Sequence, residues 1–206
     1  MTKVKICGIT NVEDAMIAVE AGADFIGVIQ VPNTPRYVLD PTTIASIRSV
    51  LPPHVPIVGV FADAVDIEPP GSIGRFDLFQ IYSDSRNHSD SRIDLKLIRC
   101  CRVQDEASLR NIEVFGAKVQ YILLDAYHDK SLGGTGAAFD WNIARTAVDR
   151  FDRPVILAGG LNPTNVASAI QTAKPFAVDV SSGVEEFPGR KDRAKVVEFV
   201  SNAKSA

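Results

Sequence analysis

Short apolar runs alternate with helix-like segments along the whole chain, and this alternation limits the fold more than any other sequence feature. Eight runs have strand character, at residues 4–6, 24–29, 57–61, 78–82, 95–100, 121–124, 155–158 and 177–180. The run at residues 24–29 lacks polar alternation, which is typical of a strand covered on both faces. Strict alternation predicts a parallel sheet, and eight units favour a closed (β/α)8 TIM barrel over an open doubly wound sheet.

Capping residues predict where several helices begin. Thr10 and Glu13 have the spacing of a capping box before a first helix with Val12, Ala15, Met16 and Val19 on its inner face. Further helices are predicted to begin at residues 40, 140 and 162, where Asp, Asp and Asn can cap them.

The third and fourth helices are predicted to be shortened or irregular. Residues 69–71 read Pro-Pro-Gly, which ends a helix, and residues 83–91 have no apolar periodicity. Phe76, Leu78 and Phe79 should then be poorly covered, unless a second subunit covers them. A monomer is narrowly favoured over a homodimer, because residues 83–91 are polar and would make a poor interface core.

Size and composition describe an ordinary globular chain. With 206 residues the chain can form one sizeable core, so residues 1–206 are predicted to be a single barrel domain. The net charge of -3 gives no basic surface for nucleic acid, and no apolar run is long enough to span a membrane. Three cysteines make no disulfide framework, which favours the reducing cytoplasm, and the three histidines lack metal-ligand spacing.

The candidate catalytic residues lie where predicted strands end, because a (β/α)8 barrel has its active site at the carboxyl ends of the strands. Cys7 follows the first strand, Asp125 ends the sixth, Asp179 lies in the eighth and Arg36 lies in the loop after the second. A thiol and a carboxyl group at two strand ends favour acid–base chemistry. The structural alternatives are a small buried side chain for Cys7, a loop cap for Asp125 and a surface ion pair for Arg36.

Two small-residue turns predict a phosphate site. The turns follow the seventh and eighth predicted strands and contain Gly159, Gly160, Ser181, Ser182 and Gly183. Short side chains let backbone N–H groups approach a phosphate closely, and phosphate sites recur after these two strands of the barrel. The alternative is that these residues only form tight turns.

The sequence resembles the phosphoribosylanthranilate isomerase family of tryptophan biosynthesis. The matching motifs occur in family order over nearly the whole chain: KICGIT at 5–10, TPRYV at 34–38, VGVF at 58–61, LLD at 123–125, GGTG at 133–136, FDW at 139–141, LAGGLNP at 157–163 and DVSSGVE at 179–185.

The resemblance implies an isomerase that carries out an Amadori rearrangement without a cofactor. The substrate would be N-(5-phosphoribosyl)anthranilate and the product 1-(2-carboxyphenylamino)-1-deoxyribulose 5-phosphate. Asp125 would protonate the ribose ring oxygen, the Cys7 thiolate would take the C2 proton, and Arg36 would hold the anthranilate carboxylate. Gln80 and Asp179 would also contact the substrate. Burial alone opposes a thiolate, so a positive charge or a helix N-terminus is expected beside Cys7.

The chain departs from the family at its fourth strand. Residues 80–83 read Gln-Ile-Tyr-Ser, where the family usually carries Gln-Leu-His-Gly. This departure leaves two alternatives open: a paralogous barrel isomerase acting on another phosphorylated aminosugar, and a non-catalytic phosphosugar-binding barrel. The presence of both Cys7 and Asp125 argues against the second.

Overall fold

A closed barrel of eight parallel strands forms the centre of the molecule. The computed structural model describes residues 1–63, 67, 74–82, 96–114, 119–126 and 139–206. Each strand pairs with the next in the chain, and β8 pairs with β1. The strands are β1 Lys3–Ile6, β2 Phe25–Ile29, β3 Ile57–Phe61, β4 Leu78–Ile81, β5 Leu97–Val103, β6 Val119–Ala126, β7 Val155–Leu157 and β8 Ala177–Val180. The predicted barrel is therefore confirmed, and each predicted run contributes a strand.

Helices and a small hairpin complete the part of the chain that the structure describes. The α-helices are α1 Val12–Ala21, α2 Pro41–Val50, α3 Trp141–Arg150, α4 Val166–Ala173 and α5 Arg193–Ser205. A 3₁₀ helix, Glu106–Val114, follows β5, and a second 3₁₀ turn, Ser182–Val184, follows β8. An unpredicted antiparallel hairpin comes next, formed by β9 Glu185–Phe187 and β10 Arg190–Lys191. The segments predicted to hold irregular helices, residues 69–71 and 83–91, and the GGTG motif lie outside the described residues.

The predicted Thr10 capping box is wrong. Asn11 is the N-cap of α1, and its side-chain oxygen accepts the Asp14 backbone N–H at 2.8 Å. The Thr10 hydroxyl instead donates to the Gly189 carbonyl at 2.6 Å, which ties β1 to the late hairpin. The predicted inner face was also partly wrong, since Met16 is 45% exposed. Apolar residues occur on adjacent sides of α1, so periodicity alone could not decide which side packs inward.

The other predicted caps gave mixed results. Asp40 and Asp140 do cap α2 and α3, each accepting a hydrogen bond from the backbone N–H two residues later. Asn162 does not cap α4 directly. It accepts the Thr164 N–H at 2.9 Å in a preceding turn, and α4 begins after Asn165. An Asx turn and a helix N-cap share the same sequence signal, which explains the shift.

The prediction that Phe76, Leu78 and Phe79 would be poorly covered is wrong. All three are buried. Phe61, Phe76 and Phe79 pack against one another, with ring centroids 5.9–6.1 Å apart. Aromatic packing of this kind stabilises a fold by more than the buried area alone. The three rings shield one another from solvent on the β3–β4 side of the barrel.

The barrel interior changes character along the strands, and this change positions the site. Its lower layers are apolar, with Val58, Leu78, Ile98, Leu123 and Ile156 packed together. Two residues further along, the inward positions of several strands become polar, as at residues 80 on β4, 125 on β6 and 179 on β8. Because side chains alternate with a period of two, these polar groups share the carboxyl end of the barrel.

Candidate active site

A cavity of about 500 Å³ opens at the carboxyl end of the barrel, a size typical of small-molecule sites. Eight of the ten sequence-predicted site residues line it: Cys7, Arg36, Asp125, Gly159, Gly160, Asp179, Ser181 and Ser182. The structure therefore brings the predicted acid, base, arginine and small-residue turns around one space. The other two, Gln80 and Gly183, lie just outside it.

The Cys7 thiol lies beside a fully buried lysine that sequence reasoning missed. Lys5 precedes Cys7 by two residues, and its Nζ lies 3.0 Å from an Asp179 carboxylate oxygen. Gly27 on β2 leaves room for both groups, because a Cβ there would lie 2.8 Å from the Cys7 Sγ and 3.0 Å from the Lys5 Nζ. The expected positive charge beside the thiol is therefore Lys5.

These charges act on the thiol in opposite directions. Burial raises the pKa of Cys7, the Lys5 ammonium lowers it, and the Asp179 carboxylate raises it again by a smaller amount. The net effect leaves the thiol pKa above its ordinary value. The lysine itself stays charged: burial alone would lower the pKa of Lys5, but Asp179 and Cys7 together raise it.

Asp125 keeps its proton to a higher pH than an ordinary aspartate does. Its carboxyl group is buried at the end of β6, and burial raises its pKa to about 6. The Tyr82 hydroxyl donates a hydrogen bond to Oδ2 at 3.0 Å, which lowers the pKa and partly offsets burial. The charge of Asp179 raises the pKa further.

Arg36 is held at the cavity wall by a carboxylate from the late hairpin. Its Nε and Nη2 donate to the two oxygens of Glu185 at 2.8 and 2.6 Å, so the pair is bidentate and largely buried. Lys191 donates to the same carboxylate at 3.0 Å and to the Ser181 carbonyl at 3.1 Å. Glu185 therefore occupies the edge of the guanidinium that carries Nε and Nη2, and Arg36 lines the cavity beside it.

The turns after β7 and β8 have the geometry of an anion site. Gly159 and Gly160 have φ of 86° and 65°, a left-handed conformation that favours glycine. The Ser181 hydroxyl oxygen is buried at the cavity and has no hydrogen-bond partner among the described residues. Gly183 does not line the cavity, since its role is close packing: a Cβ there would lie 2.0 Å from the Leu161 carbonyl oxygen.

Gln80 lies beside the cavity but does not line it. Its side chain is buried, and its Nε2 approaches the Tyr82 hydroxyl at 3.5 Å. Tyr82, two residues later on the same inward face, is the residue of this strand end that lines the cavity. The structure thus places Tyr82, and not Gln80, at the cavity wall.

Three residues of the site were not singled out from sequence: Lys5, Glu185 and Lys191. Tyr82 was noted as part of the departure at residues 80–83 but was given no role. A charged residue inside an apolar run was a usable signal for Lys5. No local signal linked Glu185 to Arg36, because the pair is separated by 149 positions in the chain. Within the described ranges no group of three His, Cys, Asp or Glu side chains could hold a metal ion. None of the helices described is long and apolar enough to cross a membrane.

The fold and site together define a (β/α)8-barrel enzyme for acid–base chemistry on an anionic small molecule. The sequence model of the family described as N-(5'phosphoribosyl)anthranilate (PRA) isomerase matches residues 4–202. The chain therefore belongs to this family of isomerases.

Individual relatives agree along the full length. The chain is 45% identical over 210 residues to the N-(5'-phosphoribosyl)anthranilate isomerase of Geobacter sulfurreducens, covering 99% of both chains. It is similar to the crystal structure of monomers of the dimeric phosphoribosylanthranilate isomerase from Thermotoga maritima, with 37% identity, full coverage of both chains and a TM-score of 0.83. A further phosphoribosyl anthranilate isomerase structure, in complex with reduced 1-(o-carboxyphenylamino)-1-deoxyribulose 5-phosphate, has 37% identity, full coverage of both chains and a TM-score of 0.80.

Proposed function

We propose that this chain isomerises N-(5-phosphoribosyl)anthranilate to 1-(2-carboxyphenylamino)-1-deoxyribulose 5-phosphate, with Asp125 as general acid and Cys7 as general base. The observation that carries this proposal is that both groups line one cavity with Arg36 and the turns after β7 and β8. An acid and a base suffice for an aldose–ketose rearrangement, so this chemistry needs no cofactor.

The first step opens the ribose ring. The Asp125 carboxyl group donates its proton to the ring oxygen while the bond between C1 and that oxygen breaks. The lone pair of the anthranilate nitrogen forms a double bond to C1, which gives an iminium ion and leaves Asp125 as a carboxylate. A pKa of about 6 allows Asp125 to give up this proton readily near neutral pH.

The second step moves the double bond. The Cys7 thiolate takes the proton from C2, and the electrons of that bond form a C1–C2 double bond while the iminium becomes an amine. The enolamine then gains a proton at C1 and loses the proton of its C2 hydroxyl, which gives the ketone. Lys5 stabilises the thiolate during this step, because its ammonium group lies beside the sulfur in a buried site.

The two pKa directions predict an unusual pH dependence. Asp125 has a pKa of about 6 and the pKa of Cys7 lies above its ordinary value, so at neutral pH the resting forms are carboxylate and thiol. In both forms Asp125 and Cys7 together hold one proton. The active form carries it on Asp125 and leaves Cys7 as a thiolate, and it is the less populated of the two. We expect kcat/KM to rise with pH through about 6, as Asp125 loses the surplus proton, and to fall only above the ordinary range of cysteine.

Stopped assays measure kcat/KM across this pH range, and the alkylation rate of Cys7 is followed by peptide mapping over the same range. Together they show whether Asp125 or Cys7 titrates on the acidic and on the alkaline side of the pH profile. Alkylation should accelerate across the alkaline limb and not across the acidic one. Alkylation that follows the limb near pH 6 would reverse the assignment of the two groups.

The function itself is tested by turnover. The purified chain should convert the anthranilate substrate to its ketose isomer, with the two resolved by chromatography because their masses are equal. Cys7→Ser should retain the fold and lose turnover, since a hydroxyl is a far weaker base at this pH. Conversion of another phosphorylated aminosugar in place of the anthranilate compound would favour a paralogous isomerase, and binding without any conversion would favour a non-catalytic barrel.

Replacing Arg36 tests recognition of the anthranilate carboxylate. We expect Arg36→Ala to raise KM by about 10- to 100-fold, the value of one charge-assisted hydrogen bond of about 1.5–3 kcal/mol. The inhibition constant of inorganic phosphate should change much less, because the phosphate is held by the turns after β7 and β8. Arg48→Ala is the matched control, since Arg48 forms a bidentate pair with Asp77 on the exterior and does not line the cavity. Equal weakening of both ligands by Arg36→Ala would contradict the assignment.

We further propose that the chain is a monomer in the cytoplasm. The polar composition of residues 83–91 supports the monomer, and a sequence with three cysteines, too few for a disulfide framework, supports a reducing compartment. The Thermotoga maritima relative is described as dimeric, so the two states are distinguished by sedimentation equilibrium of this chain. A concentration-independent mass of twice the 22.3 kDa chain would overturn the monomer.

A further inference from the structure

We propose that Tyr82 is a positioning residue for Asp125, whose hydroxyl determines which carboxyl oxygen carries the catalytic proton. This inference rests on the proposed function and deepens it. It concerns the strand end where this chain departs from its family, reading Tyr in place of the usual His.

The geometry joins Tyr82 to the acid across the cavity floor. Tyr82 follows β4, lines the cavity and reaches Asp125 on β6, where its hydroxyl donates to Oδ2 at 3.0 Å. The ring is held from two sides. Arg102 lies with its guanidinium carbon 6.0 Å from the ring centroid, and Gln80 approaches the hydroxyl from below at 3.5 Å.

A donated hydrogen bond at Oδ2 controls the placement of the acid proton. While the Tyr82 O–H points at Oδ2, the neutral carboxyl group accepts this hydrogen bond better when Oδ2 is its carbonyl oxygen than when Oδ2 carries the proton. The transferable proton of Asp125 is therefore carried on Oδ1, which leaves Oδ2 fixed against β4. The Ala126 backbone N–H also donates to the Asp125 carboxyl group, so Tyr82 completes the orientation of a group that the backbone already holds. Because proton transfer depends on geometry, an acid with one defined donor oxygen protonates the ring oxygen more often than one whose two oxygens share the proton.

The phenol acts as a donor only and is not the acid itself. Burial, followed by the Asp125 charge, raises the pKa of Tyr82 well above its ordinary value, so its O–H stays intact across the working pH range. A histidine at the same place can donate from a neutral ring but also becomes a cation as the pH falls. Tyrosine removes that second titration, so the acidic limb of this chain reports Asp125 alone.

Tyr82→Phe removes the hydroxyl and keeps the ring. We expect kcat to fall about tenfold with little change in KM, since the substrate contacts remain. We also expect the acidic limb of kcat/KM to move up by about one pH unit, because the carboxylate loses a hydrogen bond that stabilised it. The pKa of Asp125, measured by carbon-13 NMR of its side-chain carboxyl, should move by the same amount. Tyr121→Phe is the matched control, because Tyr121 packs on Phe25 and Phe176 away from the cavity.

Two further replacements at residue 82 test the hydrogen bond between Tyr82 and Asp125. Site-specific 3-fluorotyrosine at residue 82 gives a stronger donor in the same shape, so the Asp125 pKa should move down, opposite to Tyr82→Phe. Tyr82→His should recover kcat at pH values where its ring is neutral. The NMR measurement needs no turnover, so it tests the Tyr82–Asp125 coupling even if the proposed reaction fails. An Asp125 pKa that is unmoved in both the Tyr82→Phe protein and the 3-fluorotyrosine protein would overturn the inference.

Discussion

Asp125→Asn should lose about 10²- to 10⁴-fold in kcat and yet unfold at a higher temperature than the unmodified chain at pH 8. The activity falls because an amide has no proton to give to the ring oxygen, and general acids contribute about this factor. The stability rises because the carboxylate is buried, with a folded pKa of about 6 against an ordinary value of 3.8. Neutral asparagine retains an oxygen that can accept the Tyr82 hydrogen bond.

The sign of this effect follows from proton binding. Between pH 3.8 and 6 the folded chain binds more protons at Asp125 than the unfolded chain, so stability falls as the pH rises through this window. Above pH 6 the buried Asp125 carboxylate lowers the free energy of unfolding by its full amount. This amount is about 3 kcal/mol, since the folded and unfolded pKa values differ by about two units. The advantage of Asp125→Asn should therefore be large at pH 8 and small at pH 4.

Denaturant unfolding at pH 8 and pH 4 measures this difference, with exposed Asp152→Asn as the matched control. The control should leave both stability and turnover unchanged. Near-normal turnover in Asp125→Asn would remove Asp125 from the acid role. A stability difference independent of pH would show that burial of the charge is not its cause.

Lys5→Met should lose about 100-fold in kcat/KM, because it removes the buried cation beside the Cys7 thiolate. Opposite unit charges in close contact interact by about 3–4 kcal/mol at an effective dielectric constant near 20, which is at least two pKa units of the thiol. Alkylation of Cys7 should accordingly shift to higher pH. Stability should also fall, by about 3–5 kcal/mol, since the Asp179 carboxylate loses its partner in a buried site.

Two companion proteins separate the charge effect from loss of fold. Lys3→Met removes a lysine from the same strand whose side chain is 50% exposed and pairs with Asp24, and it should leave alkylation unchanged. Lys5→Met combined with Asp179→Asn removes both buried charges and should recover stability without recovering activity. An unchanged Cys7 alkylation profile in either Lys5 protein would contradict the role of Lys5.

Much of the barrel could be predicted because strands covered on both faces leave a strong sequence signal. The ranges of β3 and β8 were predicted to the residue, since β3 is a continuous apolar run and β8 is an apolar run that only Asp179 interrupts. Asp40 and Asp140 marked two helix starts because a helix N-terminus needs a local acceptor. The helix caps predicted at Thr10 and Asn162 are in fact Asn11 and Asn165. In both places another polar residue nearby could cap the helix equally well.

The burial of the β3–β4 side could not be predicted in the same way. Phe61, Phe76 and Phe79 cover one another through ring packing, a contact between elements that no local periodicity records. The hairpin of β9 and β10 was missed for the same reason. Its two strands are short, and its purpose is visible only where Glu185 meets Arg36.

Strand order and the chemical groups at the strand ends can be predicted from the amino-acid sequence, because side-chain alternation and strand termini are local properties. The behaviour of those groups depends on contacts between residues far apart in the chain. Lys5 meets Asp179 across 174 positions of the chain, and Tyr82 meets Asp125 across 43. Burial and charge–charge distance set the pKa values of Cys7 and Asp125, and both quantities exist only once the barrel has closed.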